Sequence, residues 1–288
     1  MANRKAELPV LERVRASLDA VARAADPKAV HFFRTSCRRL EAYAELAEGE
    51  GARALRKLGK RLERARKRAG RVRDLDVQLD LLRELETERE REERRVLLAD
   101  MEEARARAAR KLAKELDPET VTALRARIAR ARRVERGAPS SATGARVRAW
   151  ESAVERLTAL ADEFPKVKVK DLHELRLACK AIRYTAEQAL PRAEARALIE
   201  RMKQVQDAIG LWHDWLVLHE RASEVLPADS RLTNILRSHE RTARAAALKE
   251  SRAVVRPHIR VEAPPGLPTS AKRPESVASG KPDVASAS

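Results

Sequence analysis

Two segments of this sequence share one pattern: His31-Phe-Phe-Arg34-Thr-Ser-Cys37-Arg38-Arg39-Leu40 and, at an offset of 142, His173-Glu-Leu-Arg176-Leu-Ala-Cys179-Lys180-Ala181-Ile182. An α-helix turns about 100° per residue, so the histidine and the basic residues three and seven positions later share one stripe. The opposite face has the spacing of a helical-bundle core and carries Phe33, Cys37 and Leu40 in one copy and Leu175, Cys179 and Ile182 in the other. Each segment is therefore predicted to be a helix with a cationic side and a core side.

A second correspondence extends the repeat. Gly70-Arg-Val-Arg-Asp74 aligns with Gly210-Leu-Trp-His-Asp214 at an offset of 140, close to the first offset. One internal duplication accounts for both alignments. We therefore expect two pseudo-symmetric four-helix bundles, formed by residues 8–136 and 145–256 and joined by a linker at residues 137–144.

The composition favours helices over sheets. The chain has only nine Gly and 3% aromatic residues, and it is dominated by Ala, Arg, Leu and Glu, which lose little side-chain freedom in a helix. The predicted fold class is all-α. Gly70 and Gly210 are interpreted as turns, with Asp74 and Asp214 capping the helices that follow. Residues 86–103 are so highly charged that we expect a helical extension projecting partly into solvent. Residues 257–288 are predicted to be a disordered tail.

The charge balance points to an acidic partner. The chain has 61 Lys and Arg against 44 Asp and Glu, a formal net charge of +17, and such an excess causes self-repulsion unless a polyanion offsets it. The strongest cationic run extends from Arg53 to Arg73, where Glu63 is the single acid. This run is predicted to be a helix with an apolar seam on one side and cations on the other.

Other features exclude several classes of protein. Cys37 and Cys179 are the only cysteines, which is too few for a disulfide scaffold and does not match a metal-site spacing. Neither a signal peptide nor a membrane-spanning run is visible. We therefore expect a soluble, cytoplasmic protein with no cofactor and no metal.

The repeated H-x-x-R-x-x-x-[RK] pattern, together with Arg73-Asp-Leu-Asp-Val77 after the basic helix, resembles the conserved histidine α-helical domain, or CHAD, family. The resemblance covers about residues 8–253. It implies a groove or pore lined by basic residues and histidines that binds inorganic polyphosphate, in some members on polyphosphate granules. The predicted binding residues are His31, Arg34, Arg38, Arg39, Lys57, Lys60, Arg64, Lys67, Arg73, His173, Arg176, Lys180, Arg183, Lys203 and His213.

Two other functions are weighed against this one. A nucleic-acid-binding protein would have the same charge, but neither a recognition-helix motif nor an aromatic platform accompanies the cations. An enzyme of phosphate metabolism could use His31 or His173, yet a metal cluster and a phosphate-cradling glycine loop are missing from the sequence. We expect a binding protein and not an enzyme, with polyphosphate as its main ligand and other polyanions as lesser ones. Residues 86–103 are a candidate contact for a protein partner.

Overall fold

The fold is known from a computed structural model, which describes residues 9–85, 88–136 and 142–255. Within these ranges it contains helices and no strand, so the all-α prediction is confirmed. The helices are α1 (Val10–Arg23), α2 (Pro27–Leu46), α3 (Gly49–Glu84), α4 (Arg91–Glu115), α5 (Pro118–Arg136), α6 (Ala142–Glu163), α7 (Leu172–Glu187), α8 (Ala193–Val225) and α9 (Arg231–Val255), with a 3₁₀ turn at Val169–Asp171 before α7.

Two hydrophobic cores hold these helices together. The first is built from α1 to α5 and includes Phe33 and Leu62. The second is built mainly from α6 to α9 and includes Trp150 and Cys179. Each fully buried side chain of leucine or phenylalanine size contributes about 1.5–3 kcal/mol to stability. The predicted pseudo-symmetry of two four-helix bundles stays a prediction, because the long helices α3 and α4 supply side chains to both cores.

The start of α2 illustrates how the sequence sets a helix boundary. The Asp26 carboxylate accepts hydrogen bonds from the backbone N–H groups of Lys28 and Ala29, both at 2.9 Å. Pro27 occupies the first turn, where its missing N–H costs nothing. These two residues position the helix that carries His31 and Arg34.

The prediction of turns at Gly70 and Gly210 is wrong. Both glycines lie inside long continuous helices, α3 and α8. Asp74 and Asp214 therefore do not cap a helix, because they lie within α3 and α8. A glycine inside a helix costs about 1 kcal/mol relative to alanine. Gly210 has a packing reason, which is given with the site below.

Residues 86–103 were predicted to project partly into solvent, but one face of the part that the structure describes packs against the rest of the protein. Leu97 and Met101 of α4 are buried in the second core. Glu93 accepts hydrogen bonds from the Ser230 hydroxyl and the Leu232 backbone N–H at the start of α9. Asp100 receives two hydrogen bonds from the Arg221 guanidinium, at 2.6 and 2.7 Å. Two charged side chains that were predicted to be solvated, those of Glu93 and Asp100, thus bind other helices.

Three further segments with a predicted role lie at or beyond the ends of the described ranges. Residues 142–144, predicted to belong to the linker, are the first residues of α6. Residues 137–141 of the linker and the predicted tail at 257–288 lie outside the described residues. Among the helices that the structure describes, none combines the length and the apolar character needed to cross a membrane.

Candidate anion-binding site

The cationic stripes of α2 and α7 meet where these two helices pack against each other. Lys180 of α7 marks the meeting point. Its ammonium group is partly buried and lies in the field of Arg176 on its own helix and of Arg34 and Arg38 on α2. Burial and these positive charges together lower the pKa of Lys180 to about 7. Four basic residues from the two sequence repeats, Arg34, Arg38, Arg176 and Lys180, therefore share one region of space, which we call the central region.

Each stripe has an arginine lying against a helix glycine. The Arg34 Nη1 atom donates hydrogen bonds to the Gly70 carbonyl oxygen at 2.9 Å and to the Asp74 carboxylate at 3.0 Å. In the other half, Arg176 Nη2 lies 2.9 Å from the position that a Cβ atom on Gly210 would occupy. Any larger side chain at residue 210 would displace this guanidinium. Gly210 therefore gives Arg176 room to lie against α8, whereas a Cβ at residue 70 would lie 3.8 Å from Arg34, an ordinary contact distance.

Asp74 and Asp214 add negative charge beside these arginines. Asp74 forms an ion pair with Arg34. Burial, together with the negative charge of Asp74, raises the pKa of Asp214 to about 6, against the opposing influence of Arg176. Asp74 orients the Arg34 guanidinium, and Asp214 can lose its charge in mild acid.

The histidines lie at the edges of the same region. Partial burial and the positive charges of Arg73, Arg34 and Arg183 lower the pKa of His31. Burial followed by the charge of Arg176 lowers the pKa of His213. His31 and His213 are therefore more neutral near pH 7 than free histidines.

Some guanidinium donors in this region have no acceptor within the protein. The Nε atoms of Arg176 and Arg183 are buried, and neither makes a hydrogen bond with any residue that the structure describes. The guanidinium of Arg183 stacks on the Tyr184 ring, with its central carbon 4.4 Å from the ring centroid. A buried donor without an acceptor lowers the free energy of unfolding. The guanidinium groups that carry these donors keep their positive charge for an anion nearby.

A profile of the CHAD domain matches residues 8–223 of this sequence. The chain belongs to the CHAD domain family. The crystal structure of the CHAD domain from the plant Ricinus communis is similar to it, with a TM-score of 0.60 and 21% identity over 85% of this chain and 87% of that one. At this level of identity the likeness concerns the fold alone. A search of curated proteins finds no match.

Not all of the predicted binding residues of this CHAD domain lie in the central region. Arg39 turns toward the second half and binds Glu187 at 2.6 Å. Arg64 binds Glu115 of α4, and Lys67 binds Glu63 of its own helix. Lys57, Lys60 and Lys203 are exposed and form no ion pair with any residue in the described ranges. His173 is exposed near His213.

The two halves of the CHAD domain differ in their cationic character. In the first half, Glu41 binds both Arg38 and Arg66, at 2.9 Å each. In the second half, Gln206 stands in the place of Arg66 and donates a hydrogen bond to the Cys179 carbonyl oxygen at 3.0 Å. A neutral, buried amide thus replaces a charged pair on the second side.

Four residues that shape the central region of this CHAD domain were not predicted to belong to the site. Gly210 is needed for the close approach of Arg176, the Gly70 carbonyl oxygen and Asp74 bind Arg34, and Asp214 lies in the field of Arg176. The signal was present, since the four residues align with one another at a single offset. Glycine and aspartate are also typical of turns and caps, so local reasoning favoured the wrong role.

Proposed function

We propose that this chain binds inorganic polyphosphate, without catalysing a reaction on it, in the region between α2, α3, α7 and α8. The observation that carries the proposal is the convergence of cations from both halves around Lys180, with Arg34 and Arg38 on one side and Arg176 on the other. Like charges held together in a partly buried place repel one another, and a bound polyanion would offset this repulsion.

The proposed mechanism of binding is electrostatic. Arginine guanidinium groups donate paired hydrogen bonds to phosphate oxygens, and the Lys180 ammonium group binds as a point charge. Asp74 keeps Arg34 against α3, so that less conformational freedom is lost when the ligand arrives. Each phosphate neutralised by the protein releases condensed counterions, so affinity grows with chain length and falls with salt.

The placement of the cations favours polyphosphate over duplex nucleic acid. Arg176 and Lys180 are partly buried between helices and do not stand on a protruding surface. A thin, flexible chain of phosphates can follow such a recess, whereas a duplex is a stiff rod whose phosphates face a broad surface. The proposal includes a cytoplasmic location, with association to polyphosphate granules through the same contacts.

Parallel titrations of the full chain with long-chain polyphosphate, duplex DNA and orthophosphate at two salt concentrations test this proposal. We expect polyphosphate to bind at least about tenfold more tightly than DNA at the higher salt, since both lose counterion-release energy but only the thin polyphosphate chain can follow the recess between the helices. Orthophosphate should bind weakly because it spans only one contact. Equal affinity for DNA and polyphosphate at both salt concentrations would contradict the proposal.

Binding should strengthen in mild acid because of Lys180 and Asp214. With folded-state pKa values of about 7 and about 6, Lys180 gains its positive charge and Asp214 loses its negative charge as the pH falls. His31 and His213 are a weaker source of this effect, because their pKa values are lowered. The interior phosphates of polyphosphate stay ionised throughout this pH range.

The measurement is polyphosphate affinity between about pH 8 and pH 5.5, at constant ionic strength. We expect wild type to gain about tenfold over this range, which corresponds to one additional charged contact. Lys180→Met should bind more weakly at low pH and show a flatter profile. Affinity that decreases in acid, or a Lys180→Met profile parallel to wild type, would rule out this source of the pH dependence.

A further inference from the structure

A second basic recess lies on another side of α3. It is a cavity of about 400 Å³ between α3, α4 and α8, a size in the range of ligand-binding pockets. Its cations are Arg68, Arg71, Arg107, Lys111 and Arg221, and no Asp or Glu of the described residues lines it. Arg68 and Arg71 face α4, whereas their neighbours on α3, Gly70 and Asp74, face Arg34 of α2.

Most of this positive charge is not offset nearby. Arg68, Arg71 and Lys111 are exposed and form no ion pair with any residue that the structure describes. Arg107 pairs with Glu103 on the surface, and exposed pairs of this kind are weak. The Arg221 guanidinium is held by Asp100 and by Glu224, two acids outside the lining. Asp100 thus fixes the direction of Arg221 while the cavity wall stays cationic.

The floor of the cavity contains a polar group that the protein does not use. The side chain of Gln78 lines the cavity and is 4% exposed. Within the described part of the chain, its amide makes no hydrogen bond. The amide is therefore free to bind a ligand in the cavity. Around Gln78 the floor is apolar, with Leu75 and Met101. The Gln78 amide and several cations therefore face the same cavity.

We propose that this cavity is a second, separate anion site, which binds a compact anion carrying two or more linked phosphate groups. Arg68, Arg71 and Lys111 would bind phosphate oxygens, and the Gln78 amide would donate a hydrogen bond at the floor. Free inorganic triphosphate and the triphosphate of a nucleotide share this chemistry. The site involves different residues from the region around Lys180, so it does not depend on the function proposed for that region.

Isothermal titration of the full chain with inorganic triphosphate and, separately, with ATP tests the site. Arg68→Ala/Arg71→Ala should weaken triphosphate binding by about tenfold or more, because the substitutions remove two charged hydrogen-bond donors. The matched control is Arg56→Ala/Arg61→Ala, which removes the same charge from exposed positions of the same helix. We expect the control to change the affinity less than about threefold.

Gln78→Leu provides a test that does not alter charge. Because the Gln78 amide makes no hydrogen bond with the residues that the structure describes, an apolar side chain of similar size should leave the fold intact. We expect it to reduce triphosphate affinity several-fold and to leave the salt dependence unchanged, since the charged groups that bind phosphate are all kept. Circular dichroism of each variant confirms that it is folded.

The outcomes separate this site from the central one. Triphosphate binding that is retained by Arg34→Ala/Arg176→Ala supports the second site. Long-chain polyphosphate binding that is no weaker in Arg68→Ala/Arg71→Ala than in the control Arg56→Ala/Arg61→Ala also supports it. Binding of both inorganic triphosphate and ATP, or of inorganic triphosphate alone, supports it and shows which of the two sources of linked phosphates the site accepts. Equal losses of affinity in the cavity variant and its control, triphosphate binding abolished by the central variant, or no binding of either ligand would overturn it.

Discussion

The variant Arg34→Ala/Arg38→Ala/Arg176→Ala/Lys180→Ala should bind long-chain polyphosphate about a thousandfold more weakly than wild type. Each of the four side chains offers a charge-assisted hydrogen bond worth about 1.5–3 kcal/mol, and the four are close enough for their effects to be less than additive. Because Lys180 lies within the field of the other three side chains, the four act on one stretch of ligand. The slope of log affinity against log salt should also become shallower by about 0.7 for each phosphate that the variant no longer neutralises.

A matched control distinguishes a site from general attraction. Arg127, Arg130, Arg133 and Arg241 are exposed, and none forms an ion pair with a residue in the described ranges. Their replacement with alanine removes the same net charge from α5 and α9. We expect this control to weaken binding less than about tenfold, through the long-range field alone. Equal effects of the two variants would show that polyphosphate binds diffusely to a basic surface.

The second large effect concerns stability. Arg39→Met should lower the free energy of unfolding by about 2–3 kcal/mol, since removal of one partner leaves the other as a buried, unpaired charge. Arg39 Nε lies 2.6 Å from the Glu187 carboxylate, and the two side chains are 21% and 11% exposed. The pair connects α2 to α7. Arg183 lies near the same carboxylate at 3.8 Å and compensates in part.

A second ion pair between the halves is the control for this prediction. Arg156 of α6 binds Glu45 of α2 at 2.7 Å, with exposures of 40% and 55%. We expect Arg156→Met to cost less than about 0.5 kcal/mol, as is usual for solvated pairs. Urea unfolding measures both variants, and Arg39→Met/Glu187→Met should recover most of the stability. Similar costs for Arg39→Met and Arg156→Met would mean that burial does not govern the strength of these pairs.

Helix-face assignments made from the sequence were reliable where the period was clear. Phe33, Cys37 and Leu40 are buried in α2, and Leu175, Cys179 and Ile182 are buried in α7, as the spacing predicted. Helical periodicity reports which residues share a face, and the apolar face must leave water. The opposite stripes, with Arg34 and Arg176, were correctly grouped for the same reason.

Helix ends and partners were less predictable. Gly70 and Gly210 belong to continuous helices because packing of the two long segments outweighs a cost of about 1 kcal/mol for a helical glycine. Arg64 and Lys67 share a face of α3 with other cations, yet they bind Glu115 and Glu63. An arginine or lysine can reach several acids, and which one it binds depends on where distant helices lie.

The sequence by itself determined the helical class, the excess of positive charge and the two repeated stripes, because composition and periodicity are properties of local segments. Only the tertiary structure decided that Arg34, Arg38, Arg176 and Lys180 share one region, that Arg39 binds Glu187, and that Arg68 and Arg71 line a different recess. These facts depend on how helices far apart in the chain pack. Burial and the field of neighbouring charges, which lower the pKa of Lys180 to about 7, exist only after that packing is complete.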